Sequence, residues 1–225
     1  AMRKTFLAIT LFLAFSKAAL AQFGNCTASE MRTYVDSATG NTITMLTDTM
    51  KNDRFLYQTD PMWTADGKYL LFRSSSRGND KEVESTLPNG EKRKWTPTQI
   101  YFIEMATGKI IQATEGPNLG SAFLANKTNR MFVSRKEKEN WNMYVMDLNK
   151  FFADVKQGKV GKPSAYETFI GTFPTEMGRP GGYAVDCNDD YAYITVEREG
   201  TEEEKERMMK NPFLPKSNQP VKIKP

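Results

Sequence analysis

The feature that most constrains the fold of this chain is a hairpin motif that recurs at a regular interval along it. Its first copy runs from Asp60 to Gly78, with an extended lead to Trp63, an Asp66-Gly67 turn and the apolar run from Tyr69 to Phe72. The Asp-Gly pair is typical of the two-residue turn of a tight hairpin. Such a hairpin cannot bury its apolar faces alone, so it requires neighbours of its own kind.

Those neighbours occur later in the chain. Phe123 lies midway in sequence between Trp63 and Tyr183, and each of the three aromatic residues precedes a polar turn and a second apolar strand. The third turn contains Asn188-Asp189-Asp190, which lacks the EF-hand ligand spacing. We therefore interpret it as a hairpin turn and not as a calcium loop.

A second motif alternates with the first. It consists of a strand, a Thr-Gly turn and a return strand, and it occurs from Tyr34 to Thr47 and from Gln99 to Thr114. The alternation from Asn41 to Thr47 predicts a half-buried return strand. We expect a solvated connection with a short hairpin over 78–98, a strand over 142–148 and a short helix in the polar stretch 150–162.

Internal similarity at a fixed interval, with four short strands per unit, predicts an all-β fold, namely a β-propeller of four-stranded blades with about three to four blades present. The alternative is an antiparallel β-sandwich with coincidental spacing. We assign the blades to residues 22–196. Residues 197–225 are charged and contain prolines, and there we predict a loop or a truncated continuation without a strand. Closed propellers use about four to eight blades, so we expect the N-terminal part of a longer protein.

Residues 1–21 have the pattern of a signal peptide. Arg3 and Lys4 precede an apolar run from Thr5 to Phe15, and Ala19-Leu20-Ala21 matches a cleavage site. A membrane anchor is disfavoured because spanning a bilayer takes about 20 apolar residues. We expect an exported bacterial protein, periplasmic or secreted, with no membrane insertion after cleavage.

Removal of this segment changes the charge balance. It leaves 28 basic residues against 27 acidic ones and lowers the net charge from +4 to +1. Nucleic-acid binding then loses its support in composition. The two cysteines, Cys26 and Cys187, could pair in an oxidising compartment, or they could be two unrelated buried thiols.

Several kinds of catalytic chemistry are excluded within this chain because it has no histidine. Serine and cysteine hydrolase sites that use histidine are absent, as are imidazole metal sites. Neither cysteine has a CxxC neighbour, and no phosphate-binding glycine loop occurs. We expect no cofactor bound by these residues.

Arginines at strand ends and turns are the remaining candidates for a substrate site. Guanidinium groups suit carboxylates, including those of uronic acids, and nearby aromatic rings could stack on sugar faces. The alternatives are surface or structural hydrogen bonds for the arginines and core packing for the aromatics. The candidate arginines are Arg54, Arg73, Arg77, Arg135 and Arg179, and the aromatic candidates are Tyr57, Trp63, Trp141 and Tyr183.

These motifs resemble the opening blades of bacterial oligogalacturonate lyases and, more broadly, the TolB-like propeller repeat. The resemblance covers about residues 31–196 and rests on three pieces of sequence. They are Tyr34-Val35-Asp36 with Thr39-Gly40 and Leu46-Thr47, then Asn52-Asp53-Arg54-Phe55-Leu56-Tyr57, then Trp63-Thr64-Ala65-Asp66-Gly67 continuing to Phe72.

The resemblance implies a seven-bladed propeller in the complete protein, which would cleave pectin-derived oligouronides by β-elimination. It also implies a divalent metal such as manganese, held on histidines in the propeller mouth. This chain has no histidine for those roles, so the catalytic residues would lie outside it. Two alternatives stay open: a TolB-like propeller that binds a protein or glycan without catalysis, and the propeller domain of a dipeptidyl-peptidase-like serine peptidase.

Overall fold

A computed structural model of the protein describes residues 23–58, 60–78, 81–86, 90–173, 180–197 and 218–223. The predicted signal peptide and Arg179 lie outside these residues. The described chain is built almost entirely of antiparallel strands, with one α-helix, α1 (Leu148–Gln157), and one short 3₁₀ turn, Pro163–Ala165. The all-β prediction is confirmed.

The first of three larger sheets is assembled from the first inner hairpin and the second Thr-Gly hairpin. Its strands are β1 (Cys26–Thr27), β4 (Asp53–Arg54), β5 (Tyr69–Ser74), β8 (Gln99–Glu104) and β9 (Ile110–Gln112). Their order across the sheet is β1-β9-β8-β5-β4. Every residue of β5 except Arg73 is buried.

The second and third sheets follow in chain order as meanders. The second contains β10 (Leu119–Leu124), β11 (Arg130–Glu137), β12 (Asn140–Asp147) and β13 (Glu167–Phe173). The third contains β14 (Pro180–Val185), β15 (Ala192–Glu197) and β16 (Asn218–Ile223). Two exposed hairpins stand apart: β2 (Arg32–Val35) with β3 (Thr42–Met45), and β6 (Val83–Thr86) with β7 (Lys92–Trp95).

The sheets pack face to face in chain order. One apolar cluster joins the first sheet to the second, with Leu71 and Phe102 on one side and Met131 and Val133 on the other. Another joins the second sheet to the third, through Phe132 and Ile194 among others. The described sheets do not form a closed ring, and this succession of stacked antiparallel sheets is the arrangement expected of adjacent blades.

Helix α1 extends the first cluster. Asp147 caps its N-terminus by accepting a hydrogen bond from the Lys150 N–H at 3.1 Å, and Gly158 ends it in the left-handed conformation at φ +64°. Its own residues Phe151 and Phe152 are buried in that cluster. The short helix predicted for the polar stretch 150–162 therefore exists, but it begins earlier and carries core residues.

Three details of the predicted hairpins are wrong. The Asp66-Gly67 turn is part of a longer loop, because the Thr64 N–H donates to the Tyr69 carbonyl across it at 3.0 Å. The extended stretch that leads up to Trp63 does not form a full strand of the hairpin. It contributes only an isolated β-bridge between Trp63 and Leu70. The return strand predicted as half-buried is β3, which is exposed along most of its length because, among the described residues, no sheet covers it.

Four strands were not predicted from the sequence, among them the two-residue strands β1 and β4. β13 lies after the helix in a stretch to which no strand was assigned, and β16 lies in residues 197–225, where none was expected. β16 pairs with β15 along its whole length, with Pro220 opposite Thr195. Proline is tolerated in β16 because this strand is at the edge of its sheet. The charged, proline-containing composition of residues 197–225 gave no strand signal, so β16 was not predicted.

Candidate functional site

The best candidate for a binding site is a cleft between the segment that follows β4, strand β10 of the second sheet and strands β14 and β15 of the third sheet. β14 lies against β10 here, and residues between β4 and Trp63 complete the wall. The cleft has a volume of about 490 Å³. We call it the tyrosine cleft; its lining is Tyr57, Asp60, Ser121, Gly182, Tyr183, Ala184, Tyr193, Ile194 and Thr195.

Tyr183 is held firmly in its wall. Its ring stacks on Phe123 with centroids 5.0 Å apart, and its hydroxyl lies 3.0 Å from the Ser134 hydroxyl. The register of β14 against β15 shifts between Gly181 and Tyr183. At Gly182 φ is +58°, and a Cβ there would lie 2.6 Å from the Thr195 Oγ1, so only glycine fits this bulge.

Of the other two tyrosines, one lies in a turn and one lies on the strand that pairs with the strand of Tyr183. Tyr57 is 66% exposed and belongs to a turn in which the Asp60 N–H donates to its carbonyl at 2.8 Å. Tyr193 lies on β15, opposite Ala184 of β14. Aromatic faces flanked by hydroxyl and carboxylate groups provide apolar contact together with directional hydrogen bonds, which is the combination that small polar ligands such as sugars require.

Of the predicted arginines, Arg77 forms ion pairs with acidic side chains of the protein itself. Its guanidinium forms paired hydrogen bonds with Glu30, at 2.9 and 2.6 Å, and with Asp53, and it lies over the Phe72 ring at 5.2 Å. Its side chain is only 6% exposed. The hydrogen bonds from Arg77 hold the pKa of the Glu30 carboxyl below its ordinary value.

Arg135 is similarly engaged. It donates two hydrogen bonds of 2.6 Å to Glu167, and its guanidinium lies 5.9 Å from the centre of the Tyr144 ring. Burial raises the pKa of the Glu167 carboxyl, and Arg135 offsets only part of that effect. A ligand carboxylate would have to displace Glu167 to reach Arg135, or Glu30 and Asp53 to reach Arg77.

Arg54 and Arg73 are the exposed members of the set. They face each other as paired residues of β4 and β5, and the Arg54 Nε donates to the Asn52 side-chain oxygen at 3.3 Å. Arg179 lies outside the described residues. Arg54 closely precedes Tyr57 in sequence, but its side chain lines a separate pocket beside Phe55 and Phe72.

The structure separates the four predicted aromatic residues. Tyr57 and Tyr183 meet in the cleft, Trp63 is half exposed outside its lining, and Trp141 packs against the second core cluster. Sequence reasoning did not single out Tyr193 or Asp60 as site residues. Tyr193 had a usable signal, because it lies on the second strand of the predicted hairpin that contains Tyr183.

A metal site is not formed by the residues that the structure describes. Among them no group of three or more histidine, cysteine, aspartate or glutamate side chains is placed to hold an ion. Cys26 and Cys187 are both free and exposed, so neither a disulfide between them nor a pair of buried thiols is present. In the described part of the chain, no helix combines the length and apolarity needed to cross a bilayer.

Two solved structures share this fold. One is described as an oligogalacturonate lyase in complex with manganese; it is 19% identical, with a TM-score of 0.56 over 80% of this chain and 39% of that chain. The other is an oligogalacturonate lyase from Vibrio parahaemolyticus, 20% identical, with a TM-score of 0.58 over 90% of this chain and 46% of that chain.

The chain therefore spans less than half the length of either solved lyase. The likeness supports the resemblance at the level of the fold. No protein-family model matches the sequence, and no curated protein matches it. The manganese belongs to the solved lyase, and the described residues here do not supply a ligand set that fits it.

Proposed function

We propose that this chain is part of an exported propeller protein that binds short pectin-derived oligouronides, with the sugar seated in the tyrosine cleft. The observation that carries the proposal is the fold shared with two oligogalacturonate lyases, combined with a cleft lined by three tyrosines, one from the turn after β4 and two from the third sheet. The TolB-like repeat and the seven-bladed closure of the complete protein belong to the same proposal.

The tyrosine cleft suits a ligand with both apolar and polar faces. Tyr57 and Tyr183 offer rings for the C–H faces of a sugar, and Asp60 and Thr195 offer polar groups for its hydroxyls. The rigid placement of Tyr183 lowers the ordering cost of binding, because its ring is already stacked and hydrogen-bonded. The exposed Arg54 and Arg73, together with Arg179, are the predicted partners of uronate carboxylates.

Elimination chemistry needs more than these residues. A base must remove the proton next to the carboxylate, and a cation or guanidinium must stabilise the charge that develops. The chain has no histidine, and its described residues form no metal-binding group. We therefore assign the present residues to binding, and any lyase catalysis to residues outside residues 1–225.

One observation favours a second candidate, a propeller that binds neutral glycans. The described lining of the tyrosine cleft contains one carboxylate, Asp60, and no basic side chain. An acidic sugar would be repelled by Asp60 unless arginines from the flanking segments approach it. A neutral oligosaccharide meets no such penalty.

Calorimetric titration of the purified protein with trigalacturonate and with a neutral trisaccharide of the same length separates the two. Saturable binding of trigalacturonate that weakens as salt rises supports the oligouronide proposal, because screening reduces guanidinium–carboxylate attraction. Preference for the neutral sugar supports the second candidate. Ultraviolet absorbance of unsaturated products tests catalysis in the same samples, and we expect no such products from residues 1–225 alone.

Export is tested by N-terminal sequencing of the protein recovered from the periplasm or the medium. We expect the sequence of the recovered protein to begin at Gln22.

A further inference from the structure

The connection between β5 and β8 is much longer than its counterpart in the second sheet. It occupies residues 75–98, whereas the equivalent connection, between β11 and β12, consists of Lys138 and Glu139 alone. The long connection contains the hairpin of β6 and β7, which pair only with each other among the described strands. Connections of this length are uncommon in compact folds and usually carry a function. We call this hairpin the basic arm.

One face of the basic arm combines an arginine with an aromatic ring. Side chains alternate between the two faces along a strand, so Arg93 and Trp95 of β7 share a face. Their cross-strand partners on β6 are Ser85 and Val83, which are uncharged and half-buried. Arg93 is exposed, and Trp95 is 37% exposed. This face therefore presents a guanidinium group and an indole ring to solvent, two residues apart on one strand.

The opposite face of the arm is largely neutralised. It carries Lys92 and Lys94 from β7 together with Glu84 from β6. The Lys92 ammonium forms an ion pair with the Glu84 carboxylate at 2.8 Å, and Lys94 lies directly opposite Glu84 in the strand register. The positive charge of this face is therefore offset by an acidic side chain of the arm itself.

Arg93 has no such partner within the part of the chain that the structure describes, where no acidic side chain forms an ion pair with it. It differs in this respect from Arg77 and Arg135, which acidic side chains of the protein hold. A ligand carboxylate can therefore reach the Arg93 guanidinium without displacing one of the protein's own carboxylates. Such a pair forms two parallel hydrogen bonds, and an adjacent aromatic ring offers contact to the C–H face of a sugar.

We propose that the face of the basic arm that carries Arg93 and Trp95 is a second binding site, which takes an acidic polysaccharide longer than the oligomers held in the tyrosine cleft. This inference rests on the proposed function. A polyuronide repeats a sugar ring and a carboxylate along its length, so one chain can lay a ring on Trp95 and a carboxylate on Arg93. A separate hairpin can contact an extended polymer that a cleft of about 490 Å³ cannot enclose. Two sites that engage one polymer raise its affinity above that of a short oligomer.

Three variants of β7 test the proposal. Arg93→Ala and Trp95→Ala each remove one group from the proposed face, and Lys94→Ala removes a positive charge from the same strand on the opposite face. Calorimetric titration with polygalacturonate measures the affinity of each variant. We expect Arg93→Ala and Trp95→Ala to weaken polymer binding about tenfold, and Lys94→Ala to weaken it less than about twofold. Circular dichroism checks folding, and Arg93→Ala keeps the test valid if Trp95→Ala unfolds the arm.

Trigalacturonate separates this inference from the proposed function. The arm variants should bind trigalacturonate as the natural protein does, because the cleft holds the short oligomer. If the natural protein binds polygalacturonate through the arm but does not bind trigalacturonate, the cleft assignment fails and the arm stands. If it binds trigalacturonate and the arm variants bind the polymer as tightly as the natural protein does, the arm inference is overturned. Absence of binding to either ligand overturns both.

A charge-only polymer supplies the remaining control. Polyglutamate carries carboxylates but no sugar rings, so we expect it to bind about tenfold more weakly than polygalacturonate of the same charge. Equal affinities for the two polymers would overturn the proposal, because the arm would then bind polyanions in general. Equal losses of polygalacturonate affinity in Arg93→Ala and Lys94→Ala would overturn it for the same reason.

Discussion

The Asp189 carboxylate caps the turn that contains Thr128, although the two residues lie 61 positions apart. Its Oδ2 accepts hydrogen bonds from the Thr128 N–H at 2.8 Å and hydroxyl at 2.9 Å, and also from the Lys127 N–H at 2.8 Å. Its Oδ1 accepts the Asn126 N–H at 2.7 Å. This one buried side chain ties the turn between β14 and β15 to the turn between β10 and β11.

A related contact ties the preceding pair of turns. The Asp66 N–H donates to the Asn129 side-chain oxygen at 3.2 Å, which joins the first inner hairpin to the second. The turns of successive sheets are therefore bonded to one another through matching positions, in addition to the apolar packing between the sheets. Adjacent sheets are held in register at this end by hydrogen bonds.

Asp189→Asn should destabilise the protein by about 2 kcal/mol, because the amide nitrogen cannot accept the three hydrogen bonds made to Oδ2. Asparagine tolerates the positive φ of 63° at this position, so the change isolates the hydrogen bonds from backbone strain. Urea unfolding followed by fluorescence measures the loss. The neighbouring Asp190→Asn, at an exposed position, is the control and should change stability by less than about 0.5 kcal/mol.

The same carboxylate should contribute to acid sensitivity. Burial alone would raise the pKa of Asp189, but the hydrogen bonds from Asn126, Lys127 and Thr128 outweigh burial and lower it. Because the folded-state pKa is the lower one, the stabilisation is present above the unfolded value of about 3.9 and is lost as pH falls through the folded value. Unfolding free energies measured from about pH 6 downward should fall less steeply in Asp189→Asn than in the natural protein. Identical slopes would contradict this assignment.

Replacement by methionine should lower the stability of the protein much more at Arg77 than at Arg73. Arg77→Met leaves the Glu30 and Asp53 carboxylates without their shared partner, and we expect a loss of about 3 kcal/mol. Arg73→Met, at an exposed position, should cost less than about 0.5 kcal/mol. Chemical denaturation of both variants measures the difference. Equal stabilities would show that the Arg77 ion pairs do not hold the fold.

Phe151→Ala should destabilise the protein by about 3 to 5 kcal/mol, because this residue of α1 is fully buried within the first core cluster. It lies 5.1 Å from the Phe23 ring and 5.5 Å from the Tyr166 ring, so its removal leaves a cavity between rings. Phe169→Ala, at a position that is 55% exposed, is the matched control. Thermal unfolding compares the two, and a similar drop in both would contradict the packing role of the helix.

The repeated hairpins could be predicted because local patterns determine them. The Thr-Gly turns and the alternating apolar residues of β8 and β9 are encoded within a few residues of one another. The equal spacing of Trp63, Phe123 and Tyr183 likewise predicts the inner hairpins from the sequence alone. Burial was not local in this way, since β2 and β8 have the same pattern but, in the described chain, only β8 has a neighbour on both edges.

The candidate site was harder to predict because its residues come from separate repeats. Tyr57 and Tyr183 were chosen for their chemistry, and their meeting in one cleft depends on how the sheets stack. Arg77 and Arg135 were chosen for the same reason, yet acidic side chains of the protein are already paired with them. An arginine in sequence gives no sign of whether its carboxylate partner belongs to a ligand or to the protein.

Tyr57→Ala should weaken trigalacturonate binding about tenfold, which corresponds to about 1.4 kcal/mol, without loss of stability, because the ring is mostly exposed. Phe55→Ala removes an aromatic ring that is 50% exposed but lies outside the cleft lining, and it should leave affinity unchanged. Calorimetry on both variants measures the effect. A similar loss in both would place the ligand elsewhere on the surface.

The most direct test of the account is the calorimetric titration of the natural protein, Tyr57→Ala and Phe55→Ala with trigalacturonate, each at two salt concentrations. The account predicts saturable binding by the natural protein and by Phe55→Ala, weakened by salt, and clearly weaker binding by Tyr57→Ala. Absence of saturable binding by the natural protein, or equal affinity in all three, would contradict the assignment of the tyrosine cleft as an oligouronide site.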